Sequence, residues 1–310
     1  MANFSVLIKF ESEEDRETYF ADLGPDAQGP PAVGTKVSAV KSLHDLTDNH
    51  ETRTVTIRRL LAPLPRDDLP LYCVGLNYRS HAKEASLTLT SVPPLWTKPA
   101  ASLANPGEDI PINDFCAKSL PDYEGELVFV TSKQCRDISP KEAKDYILGY
   151  TVGNDVSCRM YQLPKHSAGQ FFFAKAFDKF APIGPALISP AIFGDGSGFS
   201  VEAKVNREVR QVAEFKKDMV FSPEQILSHM SQGTSPLRTS RIIANRLGTG
   251  TTIPAGTAVM TGTPAGVGAF HSPKVFLKDG DVLEVTMARV GTLRNVIKFH
   301  LFTESGDLPV

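Results

Sequence analysis

The sequence predicts a mixed α/β fold that is mainly β. Short runs rich in β-branched and aromatic residues recur along the chain, among them residues 4–10, 282–286 and 295–300, and turn residues separate them. Two helices are indicated by a serine cap followed by proline, at Ser139 and Ser222. The 310 residues are 41% hydrophobic and 22% charged, as in an ordinary globular protein.

Composition excludes several classes of protein. The net charge of −2 argues against a nucleic-acid binder or a polybasic membrane anchor. No apolar run approaches membrane-spanning length, and the first residues turn acidic too early for a signal peptide. The four cysteines have no paired spacing, so neither a zinc site nor a disulfide framework is expected. We therefore expect a cytoplasmic protein without nucleic-acid or membrane partners.

Residues 1–65 have a character of their own. Strand-like runs at 4–10 and 55–57 flank a stretch rich in glycine and proline, and a proline-rich run at 62–70 follows them. This pattern predicts a small N-terminal domain over residues 1–65 and a larger domain over 66–310.

The segment after the first strand of the larger domain carries a candidate general base. A short apolar strand ends at Gly75, and the residues after Asn77 favour a helix. His81 and Glu84 then lie one turn apart on the same face, so the carboxylate can orient the imidazole to take a proton from water. The motif is weak by itself, and a surface His/Glu pair remains the alternative.

Glu124 and Glu126 are candidate metal ligands. They precede Val128 and Val130 in a strand-like run, and side chains two apart on a strand share a face. Two carboxylates at the end of an apolar face repel each other and lose hydration, and an oxygen-preferring divalent cation would compensate. The alternative is that the strand begins later and both carboxylates are solvated.

Asp155 and Arg159 follow another short apolar strand. A carboxylate and a guanidinium at a strand end suit a third metal ligand and a clamp for an anionic substrate. A salt bridge between the two side chains is the alternative.

Two lysines receive different expectations. Lys175 lies within a run of phenylalanines, where it must pair with an anion or have a lowered pKa, and such residues concentrate at functional sites. Lys98, in the extended piece at 95–98, could bind a phosphate or a carboxylate, but a solvated side chain is the favoured interpretation.

The last part of the chain contributes a turn and an insertion. After a strand, a Gly/Pro-rich turn carries Thr261 and Thr263, and its hydroxyl and N–H groups can bind a carboxylate. The turn is neither a P-loop nor a dinucleotide-binding fingerprint. Residues 234–251 are basic, contain no acid and resemble an inserted loop.

In this order the motifs resemble the fumarylacetoacetate hydrolase family. The matching segments are Gly75-Leu-Asn-Tyr-Arg-Ser-His-Ala-Lys-Glu, Asp122-Tyr-Glu-Gly-Glu-Leu, Gly149-Tyr-Thr-Val-Gly-Asn-Asp-Val-Ser, Lys175, Asp218-Met-Val-Phe and Thr261-Gly-Thr-Pro-Ala-Gly-Val-Gly. The resemblance implies a β-roll catalytic domain over residues 66–310, and usually a homodimer.

The resemblance also implies roles for individual residues. Glu124, Glu126 and Asp155 are implied to bind Mg²⁺, with Mn²⁺ as an alternative. His81 and Glu84 are implied to activate water, with Lys175 as a further catalytic residue. The implied substrate-binding residues are Arg159, Gln162 and Thr263.

Four features depart from the family pattern. Met160 follows Arg159 where the family commonly has aspartate, and Arg207 stands where a hairpin glycine is usual, which puts the hairpin geometry in doubt. The run Phe171-Phe-Phe indicates a larger or less polar substrate, and the insertion at 234–251 has no recognised counterpart.

The predicted function is metal-dependent cleavage of a C–C bond in a 2-oxo or β-diketo acid. The His81/Glu84 dyad favours hydrolysis of an acylpyruvate, whereas loss of CO₂ would make the protein an oxaloacetate-type decarboxylase. An isomerase or tautomerase of the hydroxymuconate type is the alternative enzyme class. A non-catalytic binding protein on the same fold is the least favoured interpretation.

Overall fold

Strands dominate the computed structural model, which describes residues 4–46, 52–232 and 250–300. Within these ranges the strands are β1 Val6–Ser12, β2 Thr18–Asp22, β3 Lys36–Ala39, β4 Arg53–Leu61, β5 Leu71–Val74, β6 Leu95–Lys98, β7 Leu103–Ala104, β8 Asp109–Asn113, β9 Pro121–Asp122, β10 Gly125–Thr131, β11 Ile147–Asn154, β12 Ser157–Cys158, β13 Ala181–Ile188, β14 Ser200–Val205, β15 Glu208–Glu214, β16 Ala258–Met260, β17 Val282–Met287 and β18 Gly291–His300.

The helices are short. They are α1 Arg79–Glu84, α2 Asp114–Ala117, α3 Pro140–Ala143, α4 Pro164–Ser167, α5 Phe172–Lys175, α6 Pro190–Phe193, α7 Phe215–Asp218 and α8 Pro223–Ser231. Both predicted caps are present: Ser139 and Ser222 accept from the third helical N–H of α3 and α8 and complete capping boxes. No helix in the described ranges is long and apolar enough to span a lipid bilayer.

An eleven-stranded sheet forms the centre of the molecule. Its strands run in the order β3-β4-β1-β13-β11-β10-β16-β5-β6, with β2 beside β1 and β7 beside β13. Every residue of β10, β11 and β13 is buried, so these strands are covered on both faces. The antiparallel pairing of β10 with β11 places Glu126 opposite Gly153, at the end of the ladder that carries the acidic motifs.

Two further β-structures flank the motifs. A five-stranded sheet has the order β15-β14-β17-β18-β8, and β14 and β17 alternate between buried and half-buried residues, as in a sheet with one covered face. The short ladder of β9 and β12 places Asp122 opposite Ser157. This ladder brings the segment before Glu124 next to the segment after Asp155.

The N-terminal strands belong to the large sheet. Strand β1 pairs with β13, with Val6 opposite Ile188, and also with β2 and β4. The domain boundary at residue 65 stays a prediction. The predicted insertion at 234–251 lies outside the described residues except for its last two.

The hairpin that joins β14 to β15 forms despite Arg207. Asn206 and Arg207 have φ values of 53° and 70°, and Val205 pairs with Glu208 across the turn. Positive φ at both central residues is the pattern of a type I′ turn, which asparagine and glycine adopt at little cost. An arginine in this conformation strains the backbone because its Cβ crowds the following carbonyl oxygen.

Replacing this arginine should stabilise the protein. We expect Arg207→Gly to raise the free energy of unfolding by roughly 1 kcal/mol, since glycine tolerates a positive φ. Urea unfolding measures the change. Arg210→Gly, on β15 itself, is the control and should be destabilising; a less stable Arg207→Gly protein would contradict the strain argument.

Candidate active site

Six of the predicted site residues line one cavity of about 550 Å³. They come from five separate segments of the chain and are His81, Glu124, Arg159, Gln162, Lys175 and Thr263. The other predicted residues, Glu84, Glu126 and Asp155, lie next to members of this set.

Three carboxylates converge at the base of the site. Glu124, Glu126 and Asp155 each offer an oxygen within 4.8 Å of the others, and their exposed fractions are 6%, 1% and 0%. Glu124 precedes β10 and Asp155 follows β11, so the antiparallel ladder brings them together. The Asp155 N–H donates to the Glu124 carbonyl at 2.9 Å. The interpretation that Glu124 and Glu126 are solvated is wrong.

Two buried lysines face these carboxylates. Lys175 Nζ donates to Glu124 Oε2 at 2.8 Å, to Asp155 Oδ2 at 2.6 Å and to Ser157 Oγ at 2.8 Å. Lys98 Nζ lies 2.5 Å from Asp155 Oδ1, and its side chain is fully buried. The expectation that Lys98 is solvated is therefore wrong. Lys98 is the last residue of β6, the edge strand of the large sheet, and pairing with β5 directs this end inward.

The lysines do not neutralise the three carboxylates equally. Burial acts to raise the pKa of Glu124, but Lys175 and Arg159 overcome it and lower this pKa to about 2. Burial raises the pKa of Glu126 well above its usual value, and the charges of Asp155 and Glu124 raise it further. For Lys175 burial acts to lower the pKa, yet Asp155 and Glu124 raise it, so the ammonium stays charged. Burial and the two neighbouring acids therefore oppose ionisation of Glu126, and Lys175 does not offset them.

The triad fits a hard divalent cation. Asp155 Oδ1 is buried and forms an ion pair with Lys98, and it has no hydrogen-bond partner among the residues that the structure describes. Glu126 Oε2 accepts from the Gly262 N–H at 2.7 Å, which orients the carboxylate. Three carboxylates with an unsatisfied oxygen are a donor set suited to Mg²⁺ or Mn²⁺.

The His81/Glu84 pair is held inside the site by its surroundings. His81 Nδ1 lies 3.3 Å from Glu84 Oε2, and Glu84 Oε1 accepts from the Gly266 N–H at 2.9 Å. The side chains are 13% and 21% exposed, so the interpretation as an open surface pair is wrong. Asp218 accepts from the Ser80 N–H at the start of α1, where Tyr78 provides no cap.

Arg159 pairs with Asp122 and Glu124 rather than with Asp155. Its Nε donates to Asp122 Oδ2 at 2.8 Å, and its Nη1 contacts the Glu124 carboxylate and Gln162 Oε1. A salt bridge to Asp155, the alternative interpretation, is not among its contacts in the described chain. Its Nη2 is buried without a partner there. A charged guanidinium with a free N–H₂ group at a cavity wall can bind a carboxylate.

Asp122 is a site residue that sequence reasoning missed. Its Oδ2 accepts from Arg159 and from the Ala269 N–H, and its Oδ1 accepts from the Gly268 N–H at 2.9 Å. The backbone approaches closely here, because a Cβ on Gly268 would lie 1.8 Å from the Val275 carbonyl oxygen. Its place at the start of the motif with Glu124 was the available signal. Met160 stands where the family commonly has aspartate and cannot pair with Arg159. Asp122 supplies a carboxylate for this arginine.

Thr263 is engaged within the protein. Its hydroxyl donates to the Gly125 carbonyl at 3.0 Å and accepts from Gln211 Nε2 at 2.8 Å. It lines the cavity, but both hydrogen bonds serve to hold the turn against β10. Its contact with a substrate stays a prediction.

Comparison with known proteins shows which family the chain resembles over most of its length. The family model described as fumarylacetoacetate (FAA) hydrolase C-terminal matches residues 70–298. An oxaloacetate tautomerase of Bacillus subtilis is 33% identical over 77% of this chain and 73% of its own. A caffeoylpyruvate hydrolase of Neonothopanus nambi is 34% identical over 82% of this chain and 76% of its own.

Comparison with solved structures shows that the fold is also similar. The 2-hydroxyhepta-2,4-diene-1,7-dioate isomerase from Mycobacterium marinum aligns with a TM-score of 0.70 at 27% identity, over 95% of this chain and 98% of that one. The fold class predicted from the sequence is confirmed.

The Glu126→Gln substitution should affect metal binding and stability in opposite directions. The amide keeps an oxygen for the Gly262 N–H and cannot ionise, so it avoids the cost of ionising a buried carboxyl; at neutral pH we expect the metal-free protein to gain about 1–3 kcal/mol. We expect loss of measurable Mg²⁺ and Mn²⁺ binding. Calorimetry and thermal unfolding with chelator measure the two effects.

The stability gain should depend on pH. Because the pKa of Glu126 is raised in the folded state, the metal-free wild type loses stability as pH rises above 4.5, and the gap to Glu126→Gln widens over that window. Glu202→Gln, a surface change on β14, should alter neither property. Unchanged metal affinity in Glu126→Gln would contradict the assignment of the triad.

Proposed function

The chain belongs to the fumarylacetoacetate hydrolase family, and from this premise we propose that it hydrolyses a C–C bond of an acylpyruvate, a 2,4-dioxo acid. The observation that carries the proposal is the His81/Glu84 pair beside the cavity that also holds Glu124, Arg159 and Lys175. Decarboxylation needs no activated water, so this pair favours hydrolysis.

The carboxylate triad would hold the cofactor. Glu124, Glu126 and Asp155 offer the oxygens, and Mg²⁺, or alternatively Mn²⁺, would act there as a Lewis acid toward the oxygens of the dicarbonyl acid.

Arg159 and Lys175 orient the acid. The unpartnered Nη2 of Arg159 donates to the substrate carboxylate, while Asp122 and Glu124 hold the guanidinium in place. Lys175 keeps its charge and stabilises negative charge that develops on the dicarbonyl group.

His81 moves the proton. With its Nδ1–H donated to Glu84, its Nε2 accepts a proton from water, and the hydroxide adds to the distal carbonyl carbon. The bond between that carbon and C3 breaks, and its electron pair forms the enolate of pyruvate. The proton held by His81 returns to C3, which gives pyruvate and a carboxylic acid.

A tautomerase is the second candidate, favoured by the 33% identical oxaloacetate tautomerase. The same imidazole would move a proton between carbon and oxygen without breaking a C–C bond. Mass spectrometry of the product separates the two, because tautomerisation leaves the mass unchanged.

A homodimer is supported by an aromatic patch formed by Phe115, Tyr161, Phe173 and Phe177, with Phe172 next to Phe173 in the chain. Phe115 stacks on Tyr161 with centroids 4.8 Å apart, and Phe173 lies edge-on to the same ring. Phe172 and Phe173 are 52% and 56% exposed in the single chain. A contiguous exposed apolar surface is typical of a protein–protein interface.

His81→Ala should lower the turnover of acetylpyruvate by about 10²–10⁴-fold, because it removes the base that activates water. Pyruvate release from acetylpyruvate and from oxaloacetate, each with Mg²⁺ and with chelator, measures this loss and the metal requirement. Lys83→Ala, an exposed change on the same helix, is the control and should retain activity. Turnover by His81→Ala like that of the wild type would rule out the proposed role.

The double variant Phe172→Ser/Phe173→Ser should shift the protein from dimer to monomer. Light scattering coupled to size-exclusion chromatography gives the mass. Val33→Ser removes an equally exposed apolar side chain, 63% exposed, outside the patch and should leave the dimer intact. A monomeric wild type would contradict the proposed dimer.

A further inference from the structure

The outer part of the cavity is apolar, although its base is ionic. Charged and polar side chains gather at the base, around Glu124, Arg159 and Lys175. The remaining wall is formed mainly by apolar side chains, with Lys274 as a charged exception, and its aromatic members are Trp96, Phe171, Phe270 and Phe276. A ligand that fills the whole space must therefore have an anionic head and an apolar body.

Aromatic rings begin immediately beside the catalytic groups. Lys175 Nζ lies 5.2 Å from the centroid of Trp96, and Phe171 meets Trp96 edge-on at 5.6 Å. On the other side, Phe270 packs edge-on to His81 with centroids 5.8 Å apart. A group attached to the carbonyl that His81 serves therefore enters a space between aromatic walls.

The Trp96 ring is held in place from behind. A Cβ on Gly75 would lie 2.8 Å from Trp96 Cζ3, so the ring packs directly against the glycine backbone. Because the ring is fixed by Gly75, Phe171 and Lys175, it offers a preformed surface, and binding does not have to order it.

The cavity has room for more than a small acyl group. Its volume of about 550 Å³ lies in the range of pockets that enclose ligands of drug size. The pyruvate head occupies only the ionic base, and an acetyl group would leave water against the apolar wall. An aromatic acyl group displaces that water and meets the rings edge-on or face-on.

We infer that the substrate is an acylpyruvate whose acyl group carries an aromatic ring, and that Trp96 and Phe171 determine this specificity. The inference rests on the proposed hydrolysis and names its substrate class. Water supplies the oxygen that the acyl carbon gains, so the products are an aromatic carboxylic acid and pyruvate.

The test compares kcat/KM for benzoylpyruvate, hexanoylpyruvate and acetylpyruvate in the presence of Mg²⁺. Benzoylpyruvate should be preferred over acetylpyruvate by on the order of 50-fold, from the extra apolar area buried. It should be preferred over hexanoylpyruvate, which has similar apolar area, by about threefold to tenfold from ring contacts. Equal values for benzoyl and hexanoyl substrates, or for all three, would overturn the inference and leave the hydrolysis standing.

Substitutions in the aromatic wall test which residue causes the preference for benzoylpyruvate. Phe171→Leu should bring the ratio of kcat/KM for benzoylpyruvate over hexanoylpyruvate close to one, because leucine keeps apolar surface at this position but removes the ring. Phe199→Leu, a half-buried change that packs on Phe193, is the matched control and should keep the preference. A preference unchanged in Phe171→Leu would overturn the role of this residue.

Binding gives a measurement that does not depend on catalysis. Trp96 is the single tryptophan of the chain, so intrinsic fluorescence reports on this wall. In His81→Ala protein with Mg²⁺, benzoylpyruvate should quench Trp96 at concentrations at least tenfold below acetylpyruvate, with tryptophan amide titrated alongside to correct for absorption. If benzoylpyruvate quenches preferentially but the wild-type protein hydrolyses none of the acylpyruvates, the proposed hydrolysis is wrong and the aromatic binding site is supported. Equal quenching by both ligands would overturn the inference.

Discussion

The burial of three carboxylates at the end of the β10–β11 ladder is the constraint on which the site depends. Glu124, Glu126 and Asp155 lose their hydration together, and an uncompensated set of this kind would oppose folding. Lys98 and Lys175 supply positive charge from β6 and α5. Burial and the neighbouring acids oppose ionisation of Glu126, and a bound divalent cation would supply the positive charge that the protein's own lysines do not.

Other carboxylates shape the site by holding backbone rather than by chemistry. Asp122 accepts from Gly268 and Ala269, and Asp218 accepts from Ser80 at the start of α1. Through these contacts the turn after β16 is tied to β9, and the helix that carries His81 is tied to α7. Because each carboxylate serves several donors, the site is preorganised before substrate arrives.

The ionic groups at the bottom of the cavity can serve more than one reaction. A held dicarbonyl acid, a positive environment and an imidazole that moves a proton suit hydrolysis and tautomerisation alike, and both chemistries occur among the relatives. The cavity wall beyond these ionic groups can distinguish the substrates of different family members. Here that wall is aromatic, with Trp96 and Phe171 in fixed contact.

The mainly β fold class and the family could be predicted from the sequence alone, and six of the nine predicted site residues line the cavity, because strand patterns and spaced motifs are local signals. The sequence predicted neither the burial of Lys98 nor the pairing of Arg159 with Asp122. It also did not show that the Thr263 hydroxyl is already engaged by Gln211. Those contacts join residues that are 37 to 57 positions apart along the chain or meet only through sheet pairing. Only the tertiary structure decides which charge meets which, since the ion pair that forms depends on the strands that happen to be neighbours.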